Sequence, residues 1–311
     1  MNRAARLTRN AAIAGVSTAL LLGALKGYAA WKTGSVAMLG SLADSILDLV
    51  ASLVTLFGVY IAAQPADEDH RFGHGKAESL AALFQVAVIT ASAIAILVQA
   101  IRRLTVGDVS ANAEYGIAIS GVAIAVTFAL TRYQRFVVER TRSVAIGADR
   151  VHYQSDLLLN AAVIVALALE QYVGLAGADP VLGVGIALWL LFGAWRASIA
   201  AIDQLMDKEW PEEKRMRFVE VASRHPELKS LHDLRTRTSG ANDFVQFHIW
   251  MDPAMTVAQA HDVVERLEDE LRREFPGADI LIHIDPEGQV DQPDNPMVET
   301  DLIEQFKENR Q

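Results

Sequence analysis

Six apolar runs in the first 200 residues, near 10–31, 37–62, 79–101, 113–133, 145–170 and 179–200, each approach the ~20 residues that a helix needs to cross a bilayer. Hydrocarbon offers no partner to backbone N–H and C=O groups, so such runs must fold as helices. Two of them carry charge at helical spacing. Asp44 and Asp48 lie in the second run, His152 and Asp156 in the fifth, and each i, i+4 pair projects from one face of its helix. A carboxylate at bilayer depth costs ~2.5–3.5 kcal/mol on insertion scales, and residues held there mark ion or substrate pathways. Two such helices side by side supply four N/O ligands, enough for a tetrahedral shell around a Zn²⁺-like ion. Small and hydroxyl residues nearby (Ser41, Ala43, Ser45, Ser155) favour close helix approach.

Charge divides the chain in two. Residues 1–200 carry a net +2 and residues 201–311 a net −12, which describes a membrane half followed by an acidic soluble half. The acidity argues against a nucleic-acid partner. The absence of cysteine excludes disulfides and thiolate ligands, leaving imidazole and carboxylate metals such as Zn, Fe, Co, Ni or Mn. Arg3, Arg6 and Arg9, then Arg71 and Lys76, then Arg132, Arg135, Arg140 and Arg142 fall on one side of a six-span arrangement. The positive-inside bias puts that side, both termini and the acidic domain in the cytoplasm. The first run is longer than a signal core and reads as a retained helix. The expected division is a six-helix transmembrane domain over 1–207, a soluble domain over 208–286, and a polar, mostly disordered tail over 287–311.

Between the second and third runs, Pro65, Gly73 and Gly75 break any helix, and Asp67, His70 and His74 can converge on one ion. The soluble region reads as helix 212–224, strands 230–238 and 244–251, helix 257–274 and strand 279–285. Thr256 and Gln259 form a capping box. Alternation puts Val245, Phe247, Ile249 and Met251 on one face and His248 on the other. Ile280, Ile282 and Ile284 likewise oppose His283 and Asp285, so His248, His283 and Asp285 are expected on the outer sheet surface. His232 and His261 join them only if their segments come close. His225 has no such company and reads as a surface histidine. No HExxH occurs, so a zinc protease lacks its base and ligand pair.

The motifs Ser41–Leu–Ala–Asp–Ser–Ile–Leu–Asp48, His70–Arg–Phe–Gly–His–Gly–Lys–Ala–Glu78, His152–Tyr–Gln–Ser–Asp156, His232–Asp–Leu–Arg–Thr–Arg237 and His283–Ile–Asp–Pro286 together resemble the cation diffusion facilitator family, in its bacterial zinc/ferrous-iron efflux branch. The resemblance runs from about Arg9 to Pro286. It implies a homodimer with six spans per protomer in the bacterial inner membrane and a cytoplasmic αββαβ domain of metallochaperone-like shape. It further implies a transport site at Asp44, Asp48, His152 and Asp156, and a loop site at Asp67, His70 and His74. His232, His248, His261, His283 and Asp285 would form a binuclear site at the dimer, and Lys76 and Asp207 a salt bridge where the domains meet. Ile284 stands where relatives carry a polar Gln. The implied activity is proton-coupled antiport of divalent cations, Zn²⁺ first and Cd²⁺ or Fe²⁺ next, with no enzymatic chemistry. The resemblance also implies metal as a structural or regulatory ion in the cytoplasmic domain. The rival reading is a membrane-anchored metal sensor that does not transport.

Overall fold

A computed structural model describes residues 3–33, 36–106, 114–169, 178–289 and 301–308. The first residue of the fourth expected span, the last of the fifth, and tail residues 290–300 and 309–311 lie outside these. The chain divides into two compact units, Met1–Asp203 and Gln204–Gln311.

Among the described residues the first unit is built on six helices: α1 (Arg3–Thr33), α2 (Val36–Ala62), α3 (Ala77–Val106), α4 (Glu114–Thr141), α5 (Val144–Ala168) and α6 (Ala178–Leu205). All six expected runs are helical, and four helices (α1, α2, α3 and α6) are long and apolar enough by composition to cross a membrane. The interior is built from small side chains. Ala11, Ala12, Val59, Ala81, Val137, Ala145 and Ile146 pack together from five helices, as expected where backbones must approach closely without a hydrophobic drive. At Gly58 the approach is extreme, since a Cβ there would fall 2.4 Å from that of Ala81. Helix α6 packs on α3 through Leu190 and Ala194 against Ile89 and Ala93. Large apolar side chains face outward instead, Phe57, Tyr60, Phe192 and Trp195 among them, an inside-out distribution that suits lipid. Tyr28, Trp31 and Lys32 gather at the end of α1, with the Lys32 ammonium 5.0 Å from the Trp31 ring, the interfacial chemistry of a membrane boundary.

The second unit contains α7 (Glu212–Ala222), β1 (Leu231–Ser239), β2 (Asn242–Met251), α8 (Val257–Glu274), β3 (Ala278–Pro286) and α9 (Leu302–Glu308). The sheet order is β1-β2-β3, with β1 antiparallel and β3 parallel to β2. The αββαβ expectation therefore holds, with boundaries within two residues. The capping box forms as expected: Thr256 accepts from the Gln259 backbone, and the Gln259 side chain accepts in return. Helix α8 buries Ala260, Val263, Leu267 and Leu271, one stripe at helical period. They meet Phe218, Leu231, Val245, Phe247 and Ile249 in one core, each such side chain contributing about 1.5–3 kcal/mol on full burial.

Three expectations need correction. His225 is not at the surface: it is buried, and its Nδ1 accepts from the Glu227 backbone N–H at 3.4 Å. The tail is not structureless throughout: α9 seats Leu302 and Ile303 in the core, and Asp301 accepts from the Ile303 and Leu231 backbone amides at 2.9 and 3.4 Å. Leu302 and Ile303, with Phe306 packed beside them and a capping carboxylate, hold these two or so turns. Strand β3 also departs from simple alternation at its end, where Ile284 is 39% exposed and Asp285 only 2%.

Candidate metal centres

Within the helical unit, Asp48, His152 and Asp156 bring one ligand atom each to within 4.8 Å of one another. His152 Nε2 stands 3.0 Å from Asp48 Oδ1, yet neither ring nitrogen of this buried imidazole has a partner in hydrogen-bond geometry. Buried polar nitrogens are ordinarily satisfied, and a cation among the three side chains would give one of them a partner. Asp44 lines the same cavity of about 740 Å³, with Asn160. It stands outside the close trio, so the expected quartet appears as three convergent ligands and a fourth on the wall. The side chains of Ser41 and Ala43 are not among those described. Asn160 donates to the Asp156 backbone carbonyl at 2.7 Å.

Sequence reasoning did not find what holds α5 in place. Asp149, one turn before His152 and 1% exposed, accepts from Gln134 Nε2 at 2.7 Å and Gln85 Nε2 at 3.5 Å. A Cβ on Gly15 would lie 2.9 Å from its Oδ2. Tyr153 donates to the Gly15 carbonyl at 2.8 Å and shares a 2.9 Å hydrogen bond with Ser52. These contacts tie α5 to α1, α2, α3 and α4, and so fix the face that presents His152 and Asp156. The signal was visible only as an extra charge in an apolar run. Lys26 was also missed; it lines the cavity from α1.

The loop after α2 is built around Asp67. Its Oδ1 accepts from the backbone N–H groups of His70 and Asp69 at 2.6 and 3.1 Å, and the His70 amide above all holds this carboxyl below the usual 3.8. The turn closes at Gly73 with φ +78°, where L side chains are strained. His74 Nδ1 lies 3.2 Å from the Pro65 carbonyl, which can only accept, so the ring proton sits there and Nε2 is left with its lone pair. That lone pair faces Asp67 Oδ2 at 3.2 Å. Two acceptors at that distance require a cation between them, a proton or a metal. His70 Nδ1 lies 3.2 Å from Asp67 Oδ1, so the three side chains of the expected loop site come together.

In the second unit the cross-strand register places His232, His248 and His283 in one row across the sheet. A bulge in β1 between His232 and Arg235, with Asp233 at φ +48°, lets Leu231 and Leu234 both reach the core while His232 joins that row. Asp285 receives all three imidazoles: Oδ2 lies 3.2 Å from His232 Nε2 and 2.9 Å from His248 Nδ1, and Oδ1 lies 3.3 Å from His283 Nε2. The rings close over the carboxylate, which is why it is buried although its strand face points away from the helices. His261 is not drawn into this cluster. It lies 3.6 Å from Glu265 and is largely exposed, while lining a cavity of about 520 Å³ that also touches Asp285 and Ile284. Asp207 pairs with Arg237 at 3.6 Å.

The chain matches the model of the cation efflux transmembrane domain over residues 12–206 and that of the cation efflux protein cytoplasmic domain over 210–287. It is 43% identical over 282 residues to the cation-efflux pump FieF of Pectobacterium atrosepticum, covering 91% of this chain and 94% of that one. The FieF pump of Serratia proteamaculans is 44% identical over 282 residues, with the same coverage. That of Cronobacter sakazakii is 43% identical over 281 residues, covering 90% of this chain and 93% of its own. Two domains in tandem and relatives aligned over nearly their whole length place this chain in the cation efflux (cation diffusion facilitator) family.

Proposed function

We propose that this protein is a homodimeric exporter of divalent transition-metal cations, Zn²⁺ first and Cd²⁺ or Fe²⁺ next, driven by protons moving the other way. The observation that carries the reading is the convergence of Asp48, His152 and Asp156 inside a cavity between apolar helices. Asp44, on the wall, closes the shell when the helices shift. Binding a metal needs ionised carboxylates and a neutral imidazole, so occupation releases protons and protonation releases the ion. That linkage couples the two flows if the cavity opens alternately to either side. All six helices cross the bacterial inner membrane, with both termini and the second unit in the cytoplasm. The Asp67–His70–His74 loop collects cytoplasmic metal. The row His232–His248–His283 with Asp285, joined by His261 once a second copy is present, binds metal and steadies the dimer.

The test is Zn²⁺ uptake into proteoliposomes under an imposed pH gradient, parent beside Asp48→Ala. Gradient-driven uptake that the substitution abolishes is the expected result. No flux from folded parent protein that still binds metal in its second unit would overturn it in favour of a sensor.

A further inference from the structure

The cavity holding Asp48, His152 and Asp156 has a third wall. Ala19, Leu22 and Lys26 of α1 line it, and at i, i+3 and i+7 they occupy one helical face. Lys26 therefore faces the site because of the helix itself and not through one chosen rotamer. Two glycines set how near it stands. A Cβ on Gly23 would lie 3.9 Å from Ser45 Cβ, and one on Gly27 would lie 3.7 Å from Leu42 Cδ1. Helix α1 thus runs against α2 on both sides of Asp44. From that wall Lys26 shares the cavity with Asp44, Asp48 and Asp156.

The charges of this cavity do not balance without that lysine. Three carboxylates and a neutral imidazole sum to −3, and a divalent ion leaves −1. Asp149 lies off this wall, its carboxylate held by Gln134 and Gln85; around the buried His152 an unbalanced charge is costly, and Lys26 brings the four ligands and their ion to zero. We propose that Lys26 is the fixed counter-cation of the transport site, cancelling the charge left when a divalent ion meets three carboxylates and so setting how tightly that ion is held. The inference rests on the transport reading above. It assigns selectivity for charge to Lys26: a monovalent ion leaves the site at −1 and a trivalent one at +1. It also makes Lys26 a positioning residue for release, since without it the ion sits in a deeper well.

The experiment measures initial Zn²⁺ uptake by full-length protein in proteoliposomes, with Lys26→Gln, Lys26→Met and Lys26→Arg beside the parent and fold checked by size-exclusion elution. Loss of the charge is expected to lower KM on the order of tenfold and to lower Vmax with it, whereas Lys26→Arg behaves as the parent. A charge cycle supplies a readout that packing alone does not move: Asp44→Asn should raise KM far less when Lys26 is also Gln, because that pair again sums to zero with Zn²⁺. Unchanged or higher KM in folded Lys26→Gln or Lys26→Met, or an Arg variant as impaired as these, overturns the proposal while leaving transport intact. A parent without flux removes both, as there is then no carried ion to balance.

Discussion

Replacing Asp285 by Asn separates a metal ligand from a structural carboxylate. Asp285 is almost fully buried and meets three imidazoles at 2.9–3.3 Å. Without metal, the substitution does two opposed things. It weakens hydrogen bonds to a charged acceptor, which count about 1.5–3 kcal/mol each. It also relieves the burial of a carboxylate, whose desolvation costs several kcal/mol. With the volume unchanged the two largely cancel, so the metal-free variant should lie within about 2 kcal/mol of the parent. With metal the two proteins part. An ion at 100 times its dissociation constant stabilises the parent by about 2.7 kcal/mol, and for a unit of this size each kcal/mol moves the midpoint by about 4–8 °C. Zn²⁺ should therefore raise the parent's midpoint by about 10–20 °C and that of Asp285→Asn by much less. Thermal scans of the full chain in detergent, with EDTA or with Zn²⁺, can follow Trp210, whose ring stacks on Phe275 at 6.1 Å. An equal Zn²⁺ shift in both proteins refutes the assignment of Asp285 as a ligand. A large loss in EDTA refutes the cancellation.

Other consequences are open to simpler tests. Gly58→Val forces side-chain atoms into Ala81 and the Ala77 carbonyl, and overpacking of this kind costs about 1–3 kcal/mol or more; a detergent-solubilised variant with an unchanged melting midpoint would contradict that packing. Deleting residues 301–311 strips Leu302 and Ile303 from the core of the second unit and should lower its stability by about 1–3 kcal/mol, after the entropy regained by the freed tail; an unaltered denaturation curve would return the tail to disorder. The depressed Asp67 carboxyl should titrate below 3.8 in its ¹³C signal. Because its folded value is lowered, its hold on the loop is complete above that reference and fades as pH falls through the lower midpoint; a midpoint at or above 3.8 would contradict the His70 amide contact.

Much of this molecule could be read from spacing. The i, i+4 pairs on α2 and α5, the Thr256–Gln259 cap and the alternation along β2 are local rules, and each appears where its period demands. What escaped depends on partners distant in sequence. Nothing near Asp149 announces Gln85, 64 residues away, and nothing near Lys26 says which wall it forms until α1 is laid on α2. His232 needed a bulge at Asp233 to enter its row, and a backbone with positive φ at aspartate leaves little trace in composition. The tail misled for a different reason. Its polar average concealed Leu302, Ile303 and Phe306, and three apolar residues in one short helix are too few for a periodicity to register.

The row His232–His248–His283 crosses all three strands, one histidine from each. A one-residue slip of any strand would turn its apolar side chains outward, and the buried core already opposes it. Any ion gripping imidazoles of neighbouring strands would oppose that slide, because ligands once displaced by a strand step no longer reach a common centre. The metal would then act as a dowel through three boards. Binding would then show not as a moving lid but as a sheet that keeps its register more firmly.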